Sequence, residues 1–264
     1  MQLELANKKL FLDTLVYMIL PKLSLIASFL ILPWISPFLT LDDYGIYGLL
    51  ISYISIFQVL IGLGQVIILQ NSFFTLGNKY KLVWRRSYGL MVIVSLICCI
   101  LFAFVLWFSM SERLGGNFSL IIPLVCIYFV LSPFESILIN FYSLKELSFP
   151  YALGMGIVGV ITTVITILTI RFLKMGYMGW VISLTSTAVL TQIYFFKNLY
   201  LNEKIYPQLW FKKRFLYRSL KIGLPLSPHQ LSLYILGVSD RLLLEYYKIP
   251  ISQLGYYSQG YSIG

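Results

Sequence analysis

Apolar residues fall along this chain in long unbroken runs separated by short polar connections. Six runs, Leu15 to Leu41, Gly45 to Leu69, Tyr88 to Met110, Leu120 to Phe141, Tyr151 to Ile170 and Tyr177 to Phe196, each reach the ~20 residues that a helix needs to cross a hydrocarbon core. A seventh extends from Leu220 to Tyr247, and an eighth begins near Ile251. A transmembrane β-barrel would show short alternating segments instead. The pattern therefore predicts an all-α polytopic membrane protein. Residues 1–198 form a six-helix N-terminal lobe, 199–218 a basic cytoplasmic linker, and 219–264 the start of a second lobe.

Composition agrees: 59% hydrophobic residues, 11% charged and a mean hydropathy of +0.83 leave too little polar surface to solvate a soluble domain. Lys8 and Lys9 precede an apolar run too long for a signal-peptide core and without an A-x-A site, so the first helix is expected to be retained as a span. Charge placement then gives orientation. Starting inside, the inner connections hold 14 basic residues (Lys8, Lys9, Lys79, Lys81, Arg85, Arg86, Lys145, Lys197, Lys204, Lys212, Lys213, Arg214, Arg218 and Lys221). The outer ones hold 5, namely Arg113, Arg171, Lys174, Arg241 and Lys248. This asymmetry predicts a cytoplasmic N-terminus. The net charge of +10 is mostly topology, and no nucleic-acid partner is expected. The loop KNLYLNEKIYPQLWFKKRFLYRSLK reads as a positive linker or, with Trp210, Phe211, Phe215 and Tyr217 among its cations, as a segment lying on anionic lipid.

The chain also resembles itself. ILPKLSLIASFLILPWISPFLTLDDYGIYGLLISYIS near the start and KIGLPLSPHQLSLYILGVSDRLLLEYYKIPISQLGYYSQGYSIG at the end each place proline beside a charged or polar group, then a short connection and a Gly-x-Tyr. Gly45 and Tyr47 match Gly255 and Tyr257 at an offset of 210, while the prolines match at 204. Chance similarity of two apolar stretches competes with duplication. Six spans before the second copy is an even number, so both copies would enter the membrane alike, as a parallel repeat about an axis along the membrane normal. On this logic the sequence is expected to be part of a chain of roughly 400 residues or more.

The run ILPKLSLIASFLILPWISPFLTLDDYGIYGLL, and more so GLPLSPHQLSLYILGVSDRLLLEYYKI with LGYYSQGYSIG, resemble the bacterial polysaccharide (O-antigen type) flippases of the multidrug/oligosaccharidyl-lipid/polysaccharide exporter superfamily. The Pro228-His229 pair and Ser239-Asp240-Arg241 are the most specific points. The resemblance implies a transporter, not an enzyme, that moves an undecaprenyl-diphosphate-linked oligosaccharide from the cytoplasmic to the periplasmic leaflet of the bacterial inner membrane by alternating access of two lobes, coupled to an ion gradient. Implied partners are that substrate, membrane lipids, and a glycan polymerase with other assembly proteins. The second span departs from the family pattern by ending in Gln70-Asn71, where an arginine is expected.

Such a substrate asks for cationic or donor groups near the diphosphate and for polar and aromatic groups along the sugars. Intramembrane charge is where to look, because it is costly to keep. Lys22 follows Pro21 in the first span and either faces a cavity as a substrate contact or snorkels to the surface. Glu135, just after Pro133 in the fourth span, suits an ion-coupling site; the alternatives are an ion pair with Lys22 or a neutral hydrogen-bonded carboxyl. His229 is a candidate diphosphate or sugar donor, or a helix-packing hydrogen bonder. It shares a helical face with Asp240, the second ion-coupling candidate, eleven residues on. Arg241 and Glu245 are spaced to pair with each other. Tyr53, Phe57, Tyr257 and Tyr261, at helical spacing in the paired second spans, either line a sugar path or belong to interfacial belts.

Other patterns carry no chemistry. GMGIVG (Gly154, Gly156, Gly159) lies inside an apolar span with no preceding strand, so it reads as small-residue helix packing. Cys98, Cys99 and Cys126 lack metal or disulfide spacing, and neither a metal nor a cofactor is expected. Two rivals remain: a multidrug exporter of the same superfamily, which would want an acidic cavity, and a membrane-embedded glycan polymerase or ligase, which would want a sizeable outer loop. The outer connections here, LTLDDY, SERLGGNFS and RFLKMG, are short.

Overall fold

Thr40 and Asp43 fix the entry to the second span. Asp43 Oδ2 accepts from the Thr40 backbone N–H at 2.8 Å and Thr40 Oγ1 accepts from that of Asp43 at 3.2 Å, so two of the four orphan donors of a helix start are satisfied reciprocally. The computed structural model describes residues 31–210 and 212–263. Most of the first span, including Lys22, lies outside the described residues. From Thr40 the chain runs as α1 (Leu41–Gly62), α2 (Gln65–Leu76), α3 (Tyr80–Leu114), α4 (Phe118–Leu144), α5 (Ser148–Ile167), α6 (Tyr177–Phe196), α7 (Lys213–Tyr246) and α8 (Ile251–Ile263). Short π-turns at Leu168–Phe172 and Lys197–Asn202 extend α5 and α6.

The described residues contain helices and no strand, and the fold is an all-α polytopic membrane protein. Three stretches, Leu41–Leu144 (α1 to α4), Ser148–Phe172 and Tyr177–Asn202, contain helical windows long and apolar enough to cross a membrane. Large apolar side chains stay exposed along them, among them Ile100, Phe104, Phe108 and Ile193, as a lipid-facing surface requires. Inside, Phe57, Phe102 and Phe129 pack edge-on or tilted at 5.1 to 6.0 Å, and a second cluster gathers Trp84, Tyr88, Phe134, Phe141 and Phe195. Phe57 is thus buried in the core. Trp84, fully buried, donates its indole N–H to the Leu69 carbonyl at 3.0 Å, tying α3 to α2.

Two boundaries differ from the sequence pattern. The run from Gly45 to Leu69 is not one helix: Leu63 and Gly64 both adopt left-handed backbone, with φ of 40° and 61°, and split it into α1 and α2. The seventh helix begins at Lys213, seven residues before the apolar run, and continues through Pro225 and Pro228 without a break. Apolarity does not report either feature, because α1 and α2 are equally apolar and the basic first turns of α7 are helical but hydrophilic.

Contacts between connections sort them into two ends. Asp43 Oδ1 accepts from the Tyr177 N–H at 2.9 Å, and Asn117 donates to the Tyr177 hydroxyl at 2.9 Å. Connections before α1, before α4 and before α6 therefore meet at one end. At the other, Glu203 receives Lys81 Nζ at 2.7 Å and Lys145 Nζ at 2.6 Å, and the Arg85 guanidinium covers the Tyr206 ring at 3.7 Å. Helix α3 runs from one set to the other, with Lys81 and Arg85 near its start and Asn117 just past its finish, so the sets lie at opposite ends of that helix. This division matches the odd–even assignment of the connections.

Glu203 lies beyond the last turn of α6. Partial burial pushes its pKa up, but the hydrogen bonds and charges of Lys145 and Lys81 outweigh that and hold it below the usual carboxylate range. With the folded pKa depressed, the contribution to stability is present above the unfolded value of ~4.3 and is lost as pH falls through the folded value. Glu203→Gln is expected to lower stability by about 1–2 kcal/mol at pH 7 and by far less near pH 3, read as melting temperature in detergent against pH.

Candidate functional site between α1 and the α7–α8 pair

Helices α1 and α8 approach so closely that their backbones touch. A Cβ added at Gly45 would collide with the Ile251 carbonyl oxygen, one at Gly255 with the Leu41 carbonyl oxygen, and one at Gly48 with Ser258 Oγ. Small residues are what permit helices to pack this closely inside a bilayer, where van der Waals contact replaces the hydrophobic drive. The contacts are reciprocal about an offset of 210: Gly45 meets Ile251 at an offset of 206, Leu41 meets Gly255 at 214, and Gly48 meets Ser258 at 210 itself. Residue i of one helix touches residue j of the other and j's counterpart touches i's, which is the signature of a local two-fold. The offset is the one at which Gly45 and Tyr47 align with Gly255 and Tyr257 in sequence.

Helix α7 docks on the break between α1 and α2. A Cβ on Gly223 would collide with the Leu63 carbonyl oxygen, and one on Gly64 would sit 3.0 Å from the Gly223 Cα. The left-handed turn at Leu63 and Gly64 turns this carbonyl toward α7, and glycine at 223 leaves room for it.

Polar side chains converge on the same seam. The Tyr53 hydroxyl on α1 donates to Glu245 Oε2 on α7 at 2.7 Å, and Arg113 Nη1 at the end of α3 lies 3.6 Å from Glu245 Oε1. Glu245 therefore pairs across to α3, where helical spacing alone pointed to Arg241. Arg241 turns instead over the Tyr261 ring at 5.0 Å. Tyr257 on α8 donates to Asp240 on α7 and stacks on Tyr261 at a centroid distance of 6.2 Å. The seam thus joins two candidates, Tyr257 and Asp240, and binds a third, Tyr53, to Glu245 and Arg113.

His229 stands apart. Its side chain is exposed on α7, and eleven residues of regular helix carry it about 16 Å along the axis from Asp240. The two share a helix without forming one site. The residue after it, Gln230, lines with Tyr234, Gln58, Ser132 and Ser136 a cavity of about 400 Å³ where α1, α4 and α7 face one another. Gln58 Nε2 is buried there without a hydrogen-bond partner among the described residues. Glu135, between the cavity-lining Pro133 and Ser136, is half-buried and makes no ion pair among the described residues. Lys22, its alternative partner, lies outside them. The described residues hold no cluster of metal-ligating side chains. Gly154 packs beneath the Phe195 ring, as small-residue helix packing requires.

A family described as polysaccharide biosynthesis protein matches residues 10–264, nearly the whole chain. The chain belongs to that family. No curated protein and no solved structure matches it. Membership places this membrane-embedded helical chain in polysaccharide biosynthesis or export.

The glycine register gives a direct test. Gly255→Ala is expected to destabilise by about 1–3 kcal/mol through overpacking against the Leu41 carbonyl, whereas Gly260→Ala on the same helix, with no atom near its Cβ position, leaves stability unchanged or slightly raised. Melting temperatures of the two variants in detergent distinguish them.

Proposed function

We propose that this family member moves an undecaprenyl-diphosphate-linked oligosaccharide between the leaflets of the bacterial cytoplasmic membrane by alternating access. The observation that carries the reading is the reciprocal contact of α1 with α8 about a single sequence offset. Two structurally equivalent helices that touch about a local axis can separate at one end while the opposite end closes, and such rocking of one repeat against another is how paired-lobe transporters expose a fixed site alternately. Access changes then require only that the small-residue seam and the Tyr53–Glu245–Arg113 and Tyr257–Asp240 links break and re-form.

Within this reading Lys22, His229, Tyr53 and Tyr257 contact substrate, and Glu135 and Asp240 respond to the coupling ion. The two ends defined by loop contacts carry unequal basic charge, and the richer end, holding Lys81, Lys145 and Lys204, is the cytoplasmic one by the positive-inside rule. On this reading the N-terminus is cytoplasmic. Against a multidrug exporter, the described residues lining the cavity by His229 are amides, hydroxyls and apolar groups, without a carboxylate to draw cations. A glycan polymerase is the expected consumer of the translocated unit.

In a strain lacking the gene, lipid-linked repeat units are expected to accumulate on the cytoplasmic face. Units that reach the periplasm unpolymerised would instead indicate a polymerase, and unchanged glycan with altered drug sensitivity an exporter of drugs. Lys22→Ala and His229→Ala are each expected to cut glycan export about tenfold at unchanged membrane abundance, and Glu135→Gln to alter its dependence on the proton gradient. Wild-type glycan in all three would contradict these assignments.

A further inference from the structure

A second cavity, of about 510 Å³, lies beside the α1–α8 seam and within the size range of small-ligand sites, ~300–1,000 Å³. Its described lining joins Ile31, Leu32 and Ile35, ahead of α1, and residues of α1, α5 and α6 to one residue each from α7 and α8, Arg241 and Ser258. Three of its polar atoms are buried without a hydrogen-bond partner among the described residues: Tyr44 Oη, Arg241 Nε and Ser258 Oγ. Their residues are only 8%, 9% and 7% exposed. A guanidinium whose N–H is withdrawn from water and left unpaired is a standing demand for an acceptor, and three such atoms bordering one space make the demand local. Among the described residues that line the cavity there is no carboxylate and one formal charge, the Arg241 cation.

The walls say what kind of anion fits. Trp180 packs against Tyr47 at 4.8 Å and Tyr44 at 5.1 Å, giving an aromatic face of the sort on which the C–H side of a pyranose ring lies. Opposite chemistry comes from a hydroxyl ladder. Thr166 Oγ1 lies 2.8 Å from both the Thr162 carbonyl oxygen and Ser183 Oγ, sharing its one proton between them, Ser183 Oγ donates to the Gly179 carbonyl at 2.8 Å, and Thr187 Oγ1 donates to the Ser183 carbonyl at 2.9 Å. Each hydroxyl has spent its proton on its neighbours and keeps lone pairs free to accept from ring hydroxyls.

We infer that this cavity binds an acidic sugar, its carboxylate on Arg241 with Tyr44 and Ser258 and its ring against Trp180. The inference takes the source of the ligand, an acidic residue in the translocated glycan, from the transport reading above, while the site chemistry stands independently of transport. Because Arg241 and Ser258 come from α7 and α8 and the rest from the other side of the seam, the bound sugar would bridge the two halves where they touch.

The test is titration of the purified chain in detergent micelles with glucuronate, glucose and inorganic phosphate, followed by tryptophan fluorescence, with Trp180→Phe identifying the responding ring. Glucuronate is expected to give a saturating change that Trp180→Phe removes, and to bind about tenfold more tightly than glucose. Arg241→Gln should bring glucuronate down to the glucose level, and the near-isosteric Tyr44→Phe and Ser258→Ala should each weaken it about threefold. Equal affinity for glucose and glucuronate, phosphate binding as tightly as glucuronate, or unchanged affinity in Tyr44→Phe and Ser258→Ala would each overturn the inference. Glucuronate binding by a chain whose deletion leaves lipid-linked glycan evenly placed would sustain the site and refute transport; normal export with no glucuronate binding would do the reverse.

Discussion

Direct backbone contact between α1 and α8 sets the positions of nearly everything else that matters here. Helices ordinarily keep their axes apart by the width of their side chains. Gly45, Gly48 and Gly255 remove that spacing, at a helix-propensity cost of about 1 kcal/mol per glycine relative to alanine. The close approach replaces it with dispersion contact along the seam. Once the register is fixed, Tyr53 lies opposite Glu245, Tyr257 beside Asp240, and the Arg241 side chain against Gly48, whose added Cβ would lie 3.8 Å from the arginine Cδ. The glycine contact of Gly223 with the Leu63 carbonyl does the same for α7 lower in the molecule. Polar groups are thereby held where two halves meet, and parting those halves changes every one of their environments.

Much of this was readable in the residues. Long apolar runs located the spans because a segment in hydrocarbon must satisfy its own backbone, and only a helix of that length does so. The 210-residue offset between two Gly-x-Tyr sequences anticipated a relation that the glycine contacts display. Hydrophobicity could not mark the break at Leu63 and Gly64, since backbone handedness is unrelated to the polarity of the neighbouring side chains. The basic start of α7 has the composition of a linker, yet the helix propensity of its Lys, Arg and Leu residues is high, and the helix begins there.

The site was legible in part. Tyr257 and Asp240 were both singled out, but their hydrogen bond links two helices and has no periodic signature. Glu245 was assigned to Arg241 on spacing of four residues; the structure gives it to Arg113, from a helix more than a hundred residues earlier, because α3 ends where α7 ends. Tyr44 and Ser258 are single polar residues in apolar segments and belong to no motif. The signal available for them was positional: each falls on the same face as the small residues of its helix, where a polar atom is removed from lipid and from water alike.

Alternating access requires the α1–α8 seam to open and close. Spin labels on residues 42 and 252, at the end of the molecule where the two helices begin, would report it on a background with Cys98, Cys99 and Cys126 replaced by alanine. Double electron–electron resonance in lipid nanodiscs should give a short distance and a second, longer one, with the balance shifting on addition of lipid-linked oligosaccharide. A single short distance, unmoved by substrate or by pH, would mean that the contact is permanent and that the two halves do not alternate.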